Sequence, residues 1–294
     1  MDLQAARHCR AFLVIKCAIN DFKSLFKIVV LKAGNKLKKY IEKRYSLIDS
    51  FFSKPKQKFV AEDYHRLRVE IKKMNAAFKL ISYCAKKFNR KKYDKLYRDI
   101  FKQAGKIREM QMQESVLKKF KLYKTLKGFI LEGKQLQKAE SAKFFALVKY
   151  RKATKLRRNK NQITSFLKQL NKDCIEGFFI KQRKKINAVS GKKNLTPAEI
   201  HKLRKLIKDF RYMWKLFFPE RSTSSRIDFL TELIGKWHDY DVVGKNLHNA
   251  IATGNMIHKE ADNLREVAKK INLQANAFSK NIISACTKSN FISF

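Results

Sequence analysis

A ten-residue helical motif occurs twice in this chain. His65-Arg-Leu-Arg-Val-Glu-Ile-Lys-Lys-Met74 returns as His201-Lys-Leu-Arg-Lys-Leu-Ile-Lys-Asp-Phe210, 136 positions later, with seven of ten positions alike in residue or class. Downstream, residues 96–112 (LYRDIFKQAGKIREMQM) resemble residues 226–242 (RIDFLTELIGKWHDYDV) at an offset of 130. Each copy carries a glycine inside a helical pattern, at Gly105-Lys106 and Gly235-Lys236. A helix pair repeated in the same order predicts a pseudo-symmetric pair of helical bundles. Composition agrees: with 9 Gly and 3 Pro in 294 residues, the chain lacks the breakers of a turn-rich β fold. A hydrophobic share of 45% is enough for a core. The expected class is all-α.

From about Lys36 the apolar residues recur at helical spacing almost to the end. Breaks are predicted at Ser53-Lys54-Pro55-Lys56, at Asn89-Arg90-Lys91-Lys92, between Ala188 and Leu195, and from Phe218-Pro219 to Ser225. The best-marked helix start is Thr196-Pro197-Ala198-Glu199. Thr196 can cap, Pro197 suits the first helical position and Glu199 completes a capping box, so a helix should run from Pro197 to about Phe217.

On a helix at 100° per residue, His201, Arg204, Lys208, Arg211 and Lys215 fall within about 80° of one another. Leu203, Ile207, Phe210, Trp214 and Phe217 fall opposite. The first copy does the same, with His65, Arg68, Lys72 and Lys79 on one edge and Leu67, Ile71, Met74, Phe78 and Ile81 on the other. Solvated helix faces ordinarily alternate Glu with Lys to relieve repulsion. Here like charges stack over three turns with no carboxylate on the row. The row from 201 to 215 spans about 21 Å, a length that suits an extended polyanion better than one phosphate.

The second helix of the first pair places Leu96, Ile100, Ala104 and Ile107 inside and Arg98, Lys102 and Lys106 outside. Arg108 breaks that division and projects inward; His238, beside Trp237, takes the same place in the second copy. An inward cation needs an internal carboxylate or an anion. Gly105 and Gly235 are expected to let a neighbouring helix approach closely.

Lys plus Arg number 68 and Asp plus Glu 25, a net charge of +43. Such an excess calls for a polyanionic partner: nucleic acid, an anionic membrane surface or a phosphate polymer. Cys9, Cys17, Cys84, Cys174 and Cys286 are odd in number and far apart, without zinc spacing, and read as reduced and intracellular. Residues 1 to about 34 resemble the start of a secretory signal, but Lys16 interrupts the apolar run and it is too short to span a bilayer. They read as an extra amphipathic helix or an extension. No P-loop, GxSxG, HExxH or familiar nucleic-acid module is present. No metal or cofactor is expected.

These residues resemble a known family, the CHAD domain or conserved histidine α-helical domain. The likeness rests on the motif at His65, on its fuller second copy from His201 through Phe210-Arg211-Tyr212, and on the Gly-Lys-Ile-Arg-Glu and Gly-Lys-Trp-His-Asp segments. It runs from about Lys36 to about Ala285. It implies two four-helix bundles related by an internal pseudo-twofold, with a central basic channel. The halves are then 36–160 and 161–294, after an extension over 1–35. It implies inorganic polyphosphate as the partner, with phosphate or sulfate ions able to occupy the same site and nucleic acid held only non-specifically. The implied location is cytoplasmic, on polyphosphate granules for some members, and the implied role is binding without catalysis. By resemblance His65, Arg68, Lys72, His201, Arg204, Lys208 and Arg211 are ligands, with Lys106, Arg108 and Lys236 near them. Helix geometry adds Lys79, Lys215 and His238. The family's Gly-x-x-Arg-Asp departs to Gly105-Lys-Ile-Arg108-Glu109 and Gly235-Lys-Trp-His238-Asp239. Two other readings use the same residues: a helical nucleic-acid-binding protein, and an enzyme using the two histidines in phosphoryl transfer. The second lacks a carboxylate cluster for metal.

Overall fold

A computed structural model describes residues 33–120, 126–150, 161–220, 225–253 and 258–287, and among them helices are the only regular structure. The long helices are α1 (Ala33–Ser53), α2 (Ala61–Cys84), α3 (Arg90–Lys119), α4 (Lys127–Tyr150), α5 (Lys172–Ser190), α6 (Pro197–Phe217), α7 (Ser225–Ala252) and α8 (His258–Thr287). The first helix among the described residues is present from Ala33, ahead of the boundary expected at 36. The expected division at 160 and the rest of the extension lie outside the described residues.

The local signals are met by local bonds. Thr196 Oγ1 accepts from the Glu199 amide at 3.3 Å and Glu199 Oε2 accepts from the Thr196 amide at 2.9 Å, so the capping box closes and α6 begins at Pro197. Asn89 caps α3 by accepting from the Lys92 amide at 3.2 Å, which moves the helix–helix turn to just before Arg90. The predicted apolar stripes are the core: Leu67, Ile71, Met74, Phe78 and Ile81 on α2, and Leu203, Ile207, Phe210, Trp214 and Phe217 on α6, are almost wholly excluded from solvent. Ile100, Ala104 and Ile107 are buried as expected, while Arg98, Lys102 and Lys106 are exposed.

Consecutive helices pack in sequence within each half, α1 on α2 on α3 on α4 and α5 on α6 on α7 on α8. Between halves, α2 meets α6 and α3 meets α7. The cross contacts come as a pair, α1 with α6 and α5 with α2. Each of these contacts thus joins a helix of one half to a helix of the other. One apolar core runs through both halves, and a smaller cluster around Leu117, Leu126, Val243 and Leu264 closes the far ends of α3, α4, α7 and α8. The two motif helices therefore lie side by side at the junction.

One expectation is overturned. Cys84 and Cys174 form a disulfide, with Cα atoms 5.4 Å apart and 90 positions between them in sequence. It joins the end of α2 to the start of α5, one half to the other. Sequence distance hid the pair, since the packing of α2 on α5 alone brings the two thiols together. The cysteines thus give no argument for a reducing compartment. Cys286 is buried, and Cys9 and Cys17 lie outside the described residues.

Candidate functional site

At the junction of α2 and α6 the polar edges of the motif helices meet. Arg68 and Lys72 from α2, Arg204 and Lys208 from α6, and Arg108 from α3 lie close enough to perturb one another's charge, with His65 and His238 beside them. Burial pushes the Lys72 ammonium down to about 7, helped by Lys208, Arg68 and Arg204. Burial likewise pushes Lys208 down to about 8, with Arg204 adding to it. His238 is driven down to about 3, by burial first and Arg204 next, so its imidazole is neutral at any physiological pH. Its Nδ1 and the Nε of Arg204 are both buried without a protein partner. Buried polar atoms are nearly always satisfied, and these two are exceptions, as are Tyr40 Oη and Asn75 Oδ1 elsewhere among the described residues.

Two carboxylates temper the cluster. Asp239 faces Arg204, Arg108, Lys119 and Lys208, and Glu109 faces Arg68. They are the last residues of the Gly-Lys-Ile-Arg-Glu and Gly-Lys-Trp-His-Asp segments, a signal present in the sequence but not assigned a role there. They are too few to neutralise the surrounding cations.

The histidines differ. His201 Nε2 lies 3.1 Å from Asp241 Oδ2, and its ring meets those of Trp237 at 4.8 Å and His238 at 5.0 Å. Burial lowers its basicity while Asp241 opposes the shift. His65 is lowered by burial first and Arg108 next. Among the described residues there is no group of three His, Cys, Asp or Glu able to hold a metal ion.

Several residues predicted for the row are engaged elsewhere. Lys79 is ion-paired with Asp209 across the junction. Lys106 is exposed and pairs with Glu140 on α4 at 3.3 Å. Arg211 pairs with Asp228 on α7 at 2.6 Å, and Lys236 pairs with Glu232 on its own helix at 2.7 Å. Lys215 is exposed at the far end of the row. The rows are therefore not free of carboxylates: those carboxylates come from other helices or other faces. The close approach of a neighbouring helix expected at both glycines is also not what is found. Gly105 receives the end of the Arg68 side chain, and nothing lies within 4 Å of a side chain placed at Gly235.

The chain matches the CHAD domain family over residues 56–248 and belongs to that family. Among solved structures it is similar to PptA from Streptomyces chartreusis, with a TM-score of 0.63 at 9% identity, covering 87% of this chain and 99% of the other. It is similar also to the CHAD domain from the plant Ricinus communis, with a TM-score of 0.61 at 15% identity, covering 89% of this chain and 91% of the other. At such identities the likeness is one of fold. No curated protein matches the chain.

Proposed function

We propose that this protein binds inorganic polyphosphate, without catalysis, through the cations gathered where α2 meets α6. The observation that carries the reading is the cluster of Arg68, Lys72, Arg204 and Lys208, half-buried and drawn from both halves, with more positive charge than Asp239 and Glu109 can balance. Isolated buried cations are costly, and an anion is what relieves that cost. Membership of the CHAD family supports the choice of polyphosphate, and a linear polyanion fits a site to which both halves contribute cations. His65, Arg108, His201 and His238 form its rim. Lys106, Arg211, Lys215 and Lys236 serve as outer contacts, since exposed ion pairs hold their cations weakly and can exchange a carboxylate for a phosphate. Free phosphate or sulfate would occupy the same place less tightly. No helix among the described residues is long and apolar enough to cross a membrane. Location on polyphosphate granules follows from the proposed binding.

The test is competition between long-chain polyphosphate and single-stranded RNA at matched charge concentration. Polyphosphate should win, because its charges are closer together and it brings no bases or sugars into a narrow junction. Binding should weaken steeply with salt as counter-ions cease to be released. Displacement by RNA at equal or lower concentration would support the nucleic-acid reading, and triphosphate binding as tightly as long chains would exclude an extended site.

Binding should also depend on pH. Free Lys72 and Lys208 lose their protons near pH 7 and 8, whereas a bound phosphate restores them. Binding therefore takes up protons, and affinity falls as pH rises through 7 to 9, by up to about tenfold per unit for each lysine released. Folding stability moves the other way over that interval, since the unfolded chain holds lysine protons that the native cluster does not. Calorimetry in buffers of different ionisation enthalpy reads the proton uptake directly. An affinity constant from pH 6.5 to 9 would contradict it.

A further inference from the structure

The two halves carry the same motif arginine, yet hold it differently. In the first half Arg68 Nη1 donates to the Phe101 carbonyl at 2.5 Å, and the guanidinium carbon stands 4.1 Å from the centre of the Phe101 ring. Its tip fills the notch at Gly105, where a Cβ would collide with Nη1. In the second half, 130 positions on, Phe101 is replaced by Thr231, whose hydroxyl donates to Ile227 of its own helix at 2.6 Å. The space beside Gly235 is open, and Arg204 leaves its Nε buried and unpartnered.

We propose that Phe101 and Gly105 form a socket that fixes Arg68 as a preorganised phosphate arm, while Arg204 remains adaptable, so that the halves engage a polyanion unequally. The inference rests on the polyphosphate reading for its ligand but on the socket's own geometry for its mechanism. Arg68 stands among Arg204, Arg108 and Lys72, which repel it, and near Glu109, which attracts it, so charge alone does not fix where its guanidinium rests. The carbonyl takes one of its five N–H donors and the ring face attracts its charge, leaving the others for an anion. An arm held before binding loses less conformational freedom when the ligand arrives. Phe101 and Gly105 are thus positioning residues, and the aromatic side chain one turn before Gly105 is their sequence mark.

The paired glycines give the test. Gly105→Ala displaces only the flexible end of Arg68, and alanine favours the helix, so the fold should persist. Polyphosphate affinity should fall about three- to tenfold, the cost of ordering one long side chain. Gly235→Ala should leave affinity within about twofold of the parent, since nothing lies near its added Cβ. Phe101→Leu, which keeps an apolar residue but removes the ring, should weaken binding like Gly105→Ala. Phenylglyoxal labelling of the free protein, read by mass spectrometry, supplies a readout without ligand. Arg68 should react more slowly than Arg204 in the parent and as fast as Arg204 in Gly105→Ala. Equal losses in the two glycine variants, or an Arg68 labelling rate unmoved by Gly105→Ala, would overturn the socket. Failure of the parent to bind polyphosphate would sink the ligand reading alone, with the labelling result still deciding the socket.

Discussion

Reversing Arg204 and Lys208 together to glutamate should weaken polyphosphate binding at least tenfold more than reversing Lys184 and Lys185. Each double variant lowers the net charge by four, from +43 to +39, so a diffuse positive field would lose equally in both. Lys184 and Lys185 are exposed on α5 and are not among the charges that act on Arg68, Lys72, Arg204 or Lys208. Arg204 and Lys208 stand within the field of Lys72, Arg68 and Asp239. Removing one charge-assisted contact costs about 1.5–3 kcal/mol, and two contacts exceed tenfold. The new glutamates would also pair with Lys72 and Arg68 and take those cations away from the ligand. The fold should survive, because Leu203, Ile207, Phe210 and Trp214 on the opposite face of α6 are untouched. Circular dichroism checks this. Matched losses in two folded variants would mean that the junction is not the binding site.

The second large effect concerns the bond between the halves. Reducing Cys84–Cys174, or replacing both residues with serine, should lower the free energy of unfolding by about 2–5 kcal/mol, because the bridge closes a loop of 90 positions in the unfolded chain. For a chain of this size each kcal/mol moves the melting temperature by roughly 2–4 °C. Calorimetry with and without reductant gives the shift. Thiol titration of the native protein should find Cys84 and Cys174 unreactive until it is reduced. Two free thiols at those positions, or an unchanged melting temperature on reduction, would refute the bridge. The contacts of Tyr83 with Phe178, at 5.8 Å between rings, remain in either state, so the halves should loosen without separating.

Much of this protein is a local property of its sequence. The start of α6 follows from Thr196, Pro197 and Glu199, whose bonds span three residues. The apolar and cationic faces of α2 and α6 follow from spacings of three, four and seven, because the helix repeat places such residues side by side whatever lies around them. The repeat itself is read directly from the residues, at offsets of 136 and 130. His65, Arg68, Lys72, His201, Arg204 and Lys208 were legible as members of a cationic edge, and Arg108 and His238 as inward-facing groups on the second helix of each pair.

The tertiary structure decided which charges stay available. Lys79 meets Asp209 from 130 positions away, and Lys106 meets Glu140 on the next helix, so a row read along one helix overstated its free charge. It decided that Gly105 houses a guanidinium and Gly235 does not, although both glycines follow the same pattern. It also joined Cys84 to Cys174. The physical reason is common to all three. Ion pairing, steric contact and disulfide formation act over a few ångströms between side chains, whereas helical periodicity only sets the direction a side chain takes from its own axis. The partner it meets depends on how the helices are packed, and the packing belongs to the whole chain.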